Sequence, residues 1–139
     1  MNSRQAGIRI RAFQVFAGLS DAVTGCLLVF APRWTLALMG LRRAPHPIEF
    51  ASFVGVFVLG VGLAYLHAAR RPLNAANQPR WEESWAATAL LRSLVAAFLL
   101  GEILAGRMEA AWLAVALFDG ALACVQWAGL SRGWLRLES

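Results

Sequence analysis

Three ionisable residues lie deep inside apolar stretches of the sequence, where charged groups are rare. Asp21 is near the middle of the first stretch, Arg92 is slightly off the middle of the third, and Asp119 is near the middle of the fourth. An isolated charge in the centre of a hydrocarbon layer costs roughly 2.5–3.5 kcal/mol. We therefore expect the Arg92 guanidinium to lie between the two carboxylates and to donate hydrogen bonds to both.

Further polar residues share the helix faces that these three charges would occupy, at spacings of three, four or seven residues. They are Gln14 and Thr24 beside Asp21, Thr88 beside Arg92, and Gln126 beside Asp119. If both carboxylates were ionised, the trio would carry excess negative charge, which makes it a candidate site for a proton or a ligand. The alternative is a structural trio that only fixes helix register and the choice of neighbouring helix.

The composition indicates a membrane protein. Hydrophobic residues make up 59% of the 139 residues and charged residues 15%, with a mean hydropathy of +0.57. Ordinary soluble domains have about 45–50% apolar and about 25% charged residues. These values argue against a disordered tail, a disulfide-stapled miniprotein and a soluble globular domain.

Four apolar stretches, at residues 13–31, 48–69, 84–105 and 109–130, set the predicted architecture. Each is close to the ~20 residues that cross a ~30 Å hydrocarbon core. They must be helices, because lipid cannot satisfy open backbone groups. We predict an all-α fold in which residues 1–139 form one transmembrane domain, an antiparallel four-helix bundle with up-down-up-down topology and short loops. Pro32 would end the first helix, and the tight Gly106-Arg107-Met108 connection would join the last two as a hairpin.

Small and aromatic residues give two further expectations. Small residues recur every four positions in the last two stretches (Ala89, Ser93, Ala97, Gly101, Ala105; Ala116, Gly120, Cys124, Ala128). Such stripes let membrane helices approach closely, so they predict tight packing between the third and fourth spans. Tryptophans near the span ends predict an interfacial aromatic belt. They are Trp34 and Trp112 at the outer side, and Trp81, Trp85, Trp127 and Trp134 at the inner side.

Orientation follows from the distribution of arginine, which supplies all thirteen basic residues. On the side of both termini lie Arg4, Arg9, Arg11, Arg70, Arg71, Arg80, Arg132 and Arg136. On the other side lie Arg33, Arg42, Arg43 and Arg107. Because basic residues are enriched in cytoplasmic loops, this asymmetry predicts a multi-pass membrane protein with both termini cytoplasmic.

A second polar group lies towards the predicted outer face. Its members are His46, Glu49, Glu102 and Glu109, accompanied by the four arginines of that side. Four nitrogen and oxygen ligands could in principle hold a metal, but one histidine without motif spacing favours a solvated rim of ion pairs, and we predict no metal. The sequence holds no nucleotide-binding, zinc-protease or serine-hydrolase motif and no phosphate-tracking basic run, so it implies no cofactor and no nucleic-acid partner.

The second span is rich in glycine, with Gly55, Gly60 and Gly62 within residues 53–62, and it follows a first helix ended by Pro32. With four short spans, this layout resembles the DoxX-like group of small four-helix bacterial membrane proteins. The resemblance covers most of the chain through hydropathy and glycine placement. It implies a membrane bundle in the bacterial inner membrane, and some members accompany quinone-linked oxidoreductases as small subunits.

Two functions are compatible with these features. The first is a non-catalytic accessory or scaffold subunit that contacts membrane lipid and binds a membrane protein partner or further copies of itself. The alternative is a membrane-embedded enzyme or carrier for a lipid-like or quinone-like molecule, acting through Asp21, Arg92 and Asp119. The absence of a polar catalytic domain between the spans favours the first function.

Overall fold

The computed structural model describes residues 3–136, and these residues form helices and connecting turns without a strand. The helices are α1 (Ser3–Phe30), α2 (Pro32–Leu38), α3 (Glu49–Ala69), α4 (Gln78–Leu104) and α5 (Leu113–Ser131), with a 3₁₀ turn over Ala110–Trp112 before α5. The side chain of Arg4, which enters the arginine count, lies outside the described part. The all-α class is confirmed.

Four segments are long and apolar enough to cross a membrane. They are Gln5–Phe30, Glu49–Ala69, Gln78–Leu104 and Ala110–Ser131. Each contains most or all of one predicted apolar stretch. Helices α1 and α4 begin well before the apolar residues do, because the polar residues at their N-terminal ends, such as Arg9 and Glu82, are compatible with a helix.

Helix α2 replaces the short loop predicted after the first span. The backbone leaves the helical region at Ala31, with φ −139° and ψ 56°, and Pro32 then begins a new helix. Proline suits this first position because its missing N–H would have no intrahelical partner there. Pro32 therefore ends one helix and starts the next.

Glycines bring α1 and α3 into backbone contact. A Cβ added at Gly25 of α1 would overlap the backbone of Leu59, and one added at Gly62 of α3 would overlap the backbone of Ala22. Gly55 also faces α1, where a Cβ would lie 2.7 Å from the Cβ of Leu28 and 3.0 Å from the carbonyl oxygen of Gly25. In lipid, where apolar surface gains little from association, such close approach is a main source of helix attraction.

Helices α4 and α5 pack against each other as predicted, but only some members of the small-residue stripes, such as Ala89 and Ala116, are buried. A Cβ at Gly101 would have no neighbour within 4 Å, Ala97 and Cys124 are exposed, and Gly120 lies only at ordinary distance from Ala96. The packing of the two spans is therefore present, while part of each stripe faces outward, because small residues in alanine-rich membrane helices are not confined to contacts. Polar side chains add to the α4–α5 contact through the Gln126–Thr88 and Trp127–Ser93 hydrogen bonds.

Two of the three apolar clusters of the described residues lie at different places along the helices. The first contains Ile10 of α1, Ala69 of α3, Trp81 and Trp85 of α4, and Leu135 after α5. The second contains Leu28 of α1, Leu36 of α2, Leu41 of the loop after α2, and Ala51 of α3, with the 3₁₀ turn packed against it through Trp112. Between them lies the third cluster, of Ala17, Tyr65 and Leu122, together with the side chains of Asp21, Arg92 and Asp119.

Candidate functional site

The Arg92 side chain joins three helices. It projects from α4 with only 4% of its surface exposed. Its Nη2 donates a hydrogen bond to Oδ2 of Asp21 on α1, and its Nη1 donates to Oδ1 of Asp119 on α5. The two carboxylates therefore bind different nitrogens of one planar group, the arrangement that the helix-face pattern predicts.

Tyr65 of α3 adds the fourth helix to this arrangement, and the sequence reasoning did not identify it. The Arg92 Nε donates to the Tyr65 hydroxyl at 3.1 Å, and the guanidinium carbon lies 5.4 Å from the centre of the tyrosine ring. The hydroxyl donates in turn to Oε1 of Gln126 on α5 at 3.1 Å. A buried cation thus has a hydrogen-bond acceptor at Nε and an aromatic face beside it.

The hydrogen bonds continue from Gln126 back to α4. Its Nε2 donates to the Thr88 hydroxyl at 2.8 Å, and that hydroxyl donates to the Ser84 carbonyl oxygen at 2.7 Å. We call the connected side chains of Asp21, Arg92, Asp119, Tyr65, Gln126 and Thr88 the polar network. It ends on backbone, so each of its donors along this path has a partner.

A second set of hydrogen bonds lies beside the network. The Trp85 indole donates to Oε1 of Gln14 at 2.8 Å, and the Gln14 amide donates to the Tyr65 carbonyl oxygen at 3.4 Å. Trp81 and Trp85 are each 1% exposed, so the prediction that they belong to an interfacial belt is wrong. Trp85 can be buried because Gln14 on α1 accepts the hydrogen bond of its indole N–H. Trp34, Trp127 and Trp134 are exposed as that prediction requires.

Thr24 does not join the polar network. It makes no hydrogen bond with the described residues and is half-buried. It lines an open groove of about 390 Å³ on the surface of α1, together with Phe16, Leu19, Ser20 and Val23. Thr24 lies about one turn after Asp21, and this spacing indicates that the two residues share a face of α1. The Thr24 side chain nevertheless lines the groove and makes no hydrogen bond to the network.

The outer-rim residues form two separate contacts instead of one cluster. Glu102 accepts hydrogen bonds from Nε and Nη2 of Arg107 at 2.7 and 2.6 Å. Glu109 accepts the backbone N–H groups of Arg42 and Arg43 at 3.0 and 2.7 Å, and these bonds hold the pKa of its carboxyl below the usual range.

The remaining rim residues, His46 and Glu49, are exposed and join neither contact. Within the described part of the chain, no three histidine, cysteine, aspartate or glutamate side chains group closely enough to hold a metal ion. The rim is therefore a set of surface contacts that tie loops together.

One oxygen of each network carboxylate remains without a protein partner among the described residues. Asp21 uses Oδ2 and Asp119 uses Oδ1 to bind Arg92, and the two side chains keep 12% and 15% of their surface exposed. The remaining oxygens can accept a hydrogen bond from a ligand or hold a proton. The network itself can orient helices through directional hydrogen bonds.

The Tyr65 hydroxyl should contribute measurably to stability. Tyr65→Phe removes a partner of both Arg92 and Gln126, and an unsatisfied buried polar group costs about 1–3 kcal/mol. The measurement is the unfolding free energy of detergent-solubilised protein for Tyr65→Phe, Gln126→Leu and the double variant. We expect a coupling energy above about 0.5 kcal/mol, as found for residues in contact. Additive effects would contradict a shared hydrogen bond.

Comparison with known proteins finds no match to a family model, to a curated protein or to a solved structure.

Proposed function

We propose that this chain is a non-catalytic accessory or scaffold subunit of a membrane complex, or a homo-oligomer, built as an antiparallel up-down-up-down four-helix bundle. The observation that carries the proposal is the filled space between the helices. Tyr65, Trp85, Gln14 and Gln126 are all less than 2% exposed, and they bind one another or neighbouring helices. These buried polar side chains thus form their hydrogen bonds with other helices of the same chain. The outer helix surface remains available to lipid and protein partners.

The two apolar clusters support the antiparallel topology. The first joins residues near the start of α1 and α4 to residues at the end of α3 and after α5. The second joins the end of α1 and the start of α3 to the 3₁₀ turn before α5. In a bundle that crosses a bilayer, this grouping corresponds to helices that alternate in direction, with both termini at one surface.

The arginine asymmetry supports an orientation with both termini in the cytoplasm. The DoxX-like resemblance supports a location in the bacterial inner membrane. The glycine-rich α3 supports the DoxX-like resemblance, in which some members are small subunits beside quinone-linked oxidoreductases. Large apolar side chains such as Phe53, Phe57 and Leu94 point away from the other helices and are available to lipid or to a partner helix.

The oligomeric assembly is the first test. The protein should be extracted from membranes into polymer-bounded native nanodiscs, crosslinked and weighed by native mass spectrometry. We expect complexes heavier than the 15.1 kDa chain, and a neutral variant carrying Arg92→Leu, Asp21→Asn and Asp119→Asn should retain them. If the unmodified protein gave only the 15.1 kDa monomer and no crosslinked species, the scaffold proposal would be overturned.

A second function is favoured by the carboxylate oxygens that accept no hydrogen bond from the protein. Asp21 and Asp119 could hold a proton or the hydroxyl of a lipid-like or quinone-like molecule, with Arg92 fixing their separation. A hydrophobic carbodiimide, which reacts with protonated carboxyls in membranes, would then modify these two residues. Protection by a ubiquinone analogue would support a carrier or enzyme, and absence of modification would exclude this second function.

A further inference from the structure

The segment that contains α2 has an inner face and an outer face of different chemistry. Thr35 and Leu36 are buried, and Leu36 belongs to the second apolar cluster. Trp34 and Leu38, one turn apart on the other side, are 57% and 68% exposed. A short helix that is anchored inward and presents tryptophan and leucine outward is typical of a protein segment at the bilayer surface.

Three arginines surround this exposed apolar surface. Arg33 lies on α2, and Arg42 and Arg43 follow it in the loop towards α3. All three are exposed, and their guanidinium groups make no hydrogen bond or ion pair with the described residues. Arg107, on the same side of the proposed bundle, differs because its guanidinium is engaged by Glu102.

Glu109 lies near two of these arginines but binds their backbone, not their guanidinium groups. Its carboxylate accepts the backbone N–H groups of Arg42 and Arg43 rather than their side chains. This contact fixes the loop to the turn before α5. Glu109 therefore positions the two arginines through their backbone, without a hydrogen bond or an ion pair to either guanidinium group.

From this juxtaposition we propose that α2 and its following loop bind the phosphate headgroup of an anionic phospholipid. Trp34 and Leu38 set the depth of the segment in the bilayer, and the guanidinium groups of Arg33, Arg42 and Arg43 then lie at headgroup level, where they bind phosphate oxygens in pairs. A lipid fits this surface because the exposed Trp34 and Leu38 side chains would contact its apolar part while the arginines bind its phosphate. Free phosphate would use only the cations.

Photocrosslinking in nanodiscs tests the proposal. The full chain is reconstituted in phosphatidylcholine containing a minor fraction of phosphatidylglycerol with a photoactivatable headgroup, and adducts are mapped by peptide mass spectrometry. We expect adducts in residues 30–43. A variant with Arg33, Arg42 and Arg43 each changed to glutamine should lower their yield about a hundredfold, since each surface arginine contributes roughly fivefold.

The control is Arg107→Gln, which removes one charge from the same side but from a guanidinium already bound to Glu102. It should change the adduct yield in residues 30–43 less than twofold, whereas Arg42→Gln alone should lower it about fivefold. Far-ultraviolet circular dichroism establishes that each variant remains helical.

Three results would overturn the proposal. They are an equal adduct yield with photoactivatable phosphatidylcholine, an unchanged yield in the triple variant, and displacement by millimolar inorganic phosphate, which would indicate a phosphate site instead. Because none of these outcomes depends on oligomeric state, a failure here is distinguishable from a failure of the scaffold function.

Discussion

Arg92→Ala is expected to destabilise the folded protein by about 3–5 kcal/mol, among the largest effects of any single substitution in the chain. The change removes the cation that binds Asp21 and Asp119 and leaves both carboxylates partly buried without a partner. It also removes a donor to the Tyr65 hydroxyl. The measurement is the unfolding free energy in mixed detergent micelles, followed by circular dichroism.

The matched control removes all three charges together. A variant with Arg92→Leu, Asp21→Asn and Asp119→Asn leaves no stranded ion, and replacing a buried ion pair or triad by neutral groups is often tolerated. We expect it to lose less than half as much stability as Arg92→Ala. Equal losses for the two variants would show that the cost of Arg92→Ala does not come from uncompensated carboxylates.

Gly62→Ala is expected to cost about 3 kcal/mol or more, although only one methyl group is added. That methyl would overlap the backbone of Ala22 and lie 2.7 Å from the carbonyl oxygen of Gly18, so α1 and α3 must separate to admit it. Separation of the helices also lengthens the contacts that Tyr65 makes from α3. Thermal unfolding in detergent measures the loss.

Gly60→Ala, in the same helix, is the control. A Cβ at Gly60 meets nothing within 4 Å, so the substitution adds no overlap. Alanine is favoured over glycine inside a helix by roughly 0.5–1 kcal/mol, and we expect Gly60→Ala to be neutral or slightly stabilising. If the two variants lowered the melting temperature equally, backbone contact between α1 and α3 would not be the cause.

The helices were predictable because their signal is strong. Long apolar stretches must be helical in lipid, and the ends of α3 and α5 fall within a few residues of the predicted limits. Helix α2 was missed because Pro32 is equally compatible with the end of one helix and the first turn of another. Hydropathy does not separate these two cases.

The meeting of Asp21, Arg92 and Asp119 was predictable from depth and charge alone. Tyr65 was not, because a single tyrosine in an apolar stretch has many uses. A signal was present: Tyr65 lies three residues after Gly62, on the buried face of α3 that also carries Gly55. The burial of Trp85 was not predicted because a tryptophan near a span end is more often interfacial. Its indole is buried because Gln14 of α1 accepts its hydrogen bond, and the sequence does not reveal this pairing.

The separation of Asp21 and Arg92 by 71 residues has a consequence for biosynthesis. At about 5–20 residues per second, the ribosome completes Arg92 roughly 4–14 seconds after Asp21. During that interval the nascent first helix carries a carboxylate whose eventual counter-ion has not yet been translated. If this helix stays beside the translocon or an insertase until Arg92 is made, the chain avoids the free-energy cost of an unpaired carboxylate in lipid.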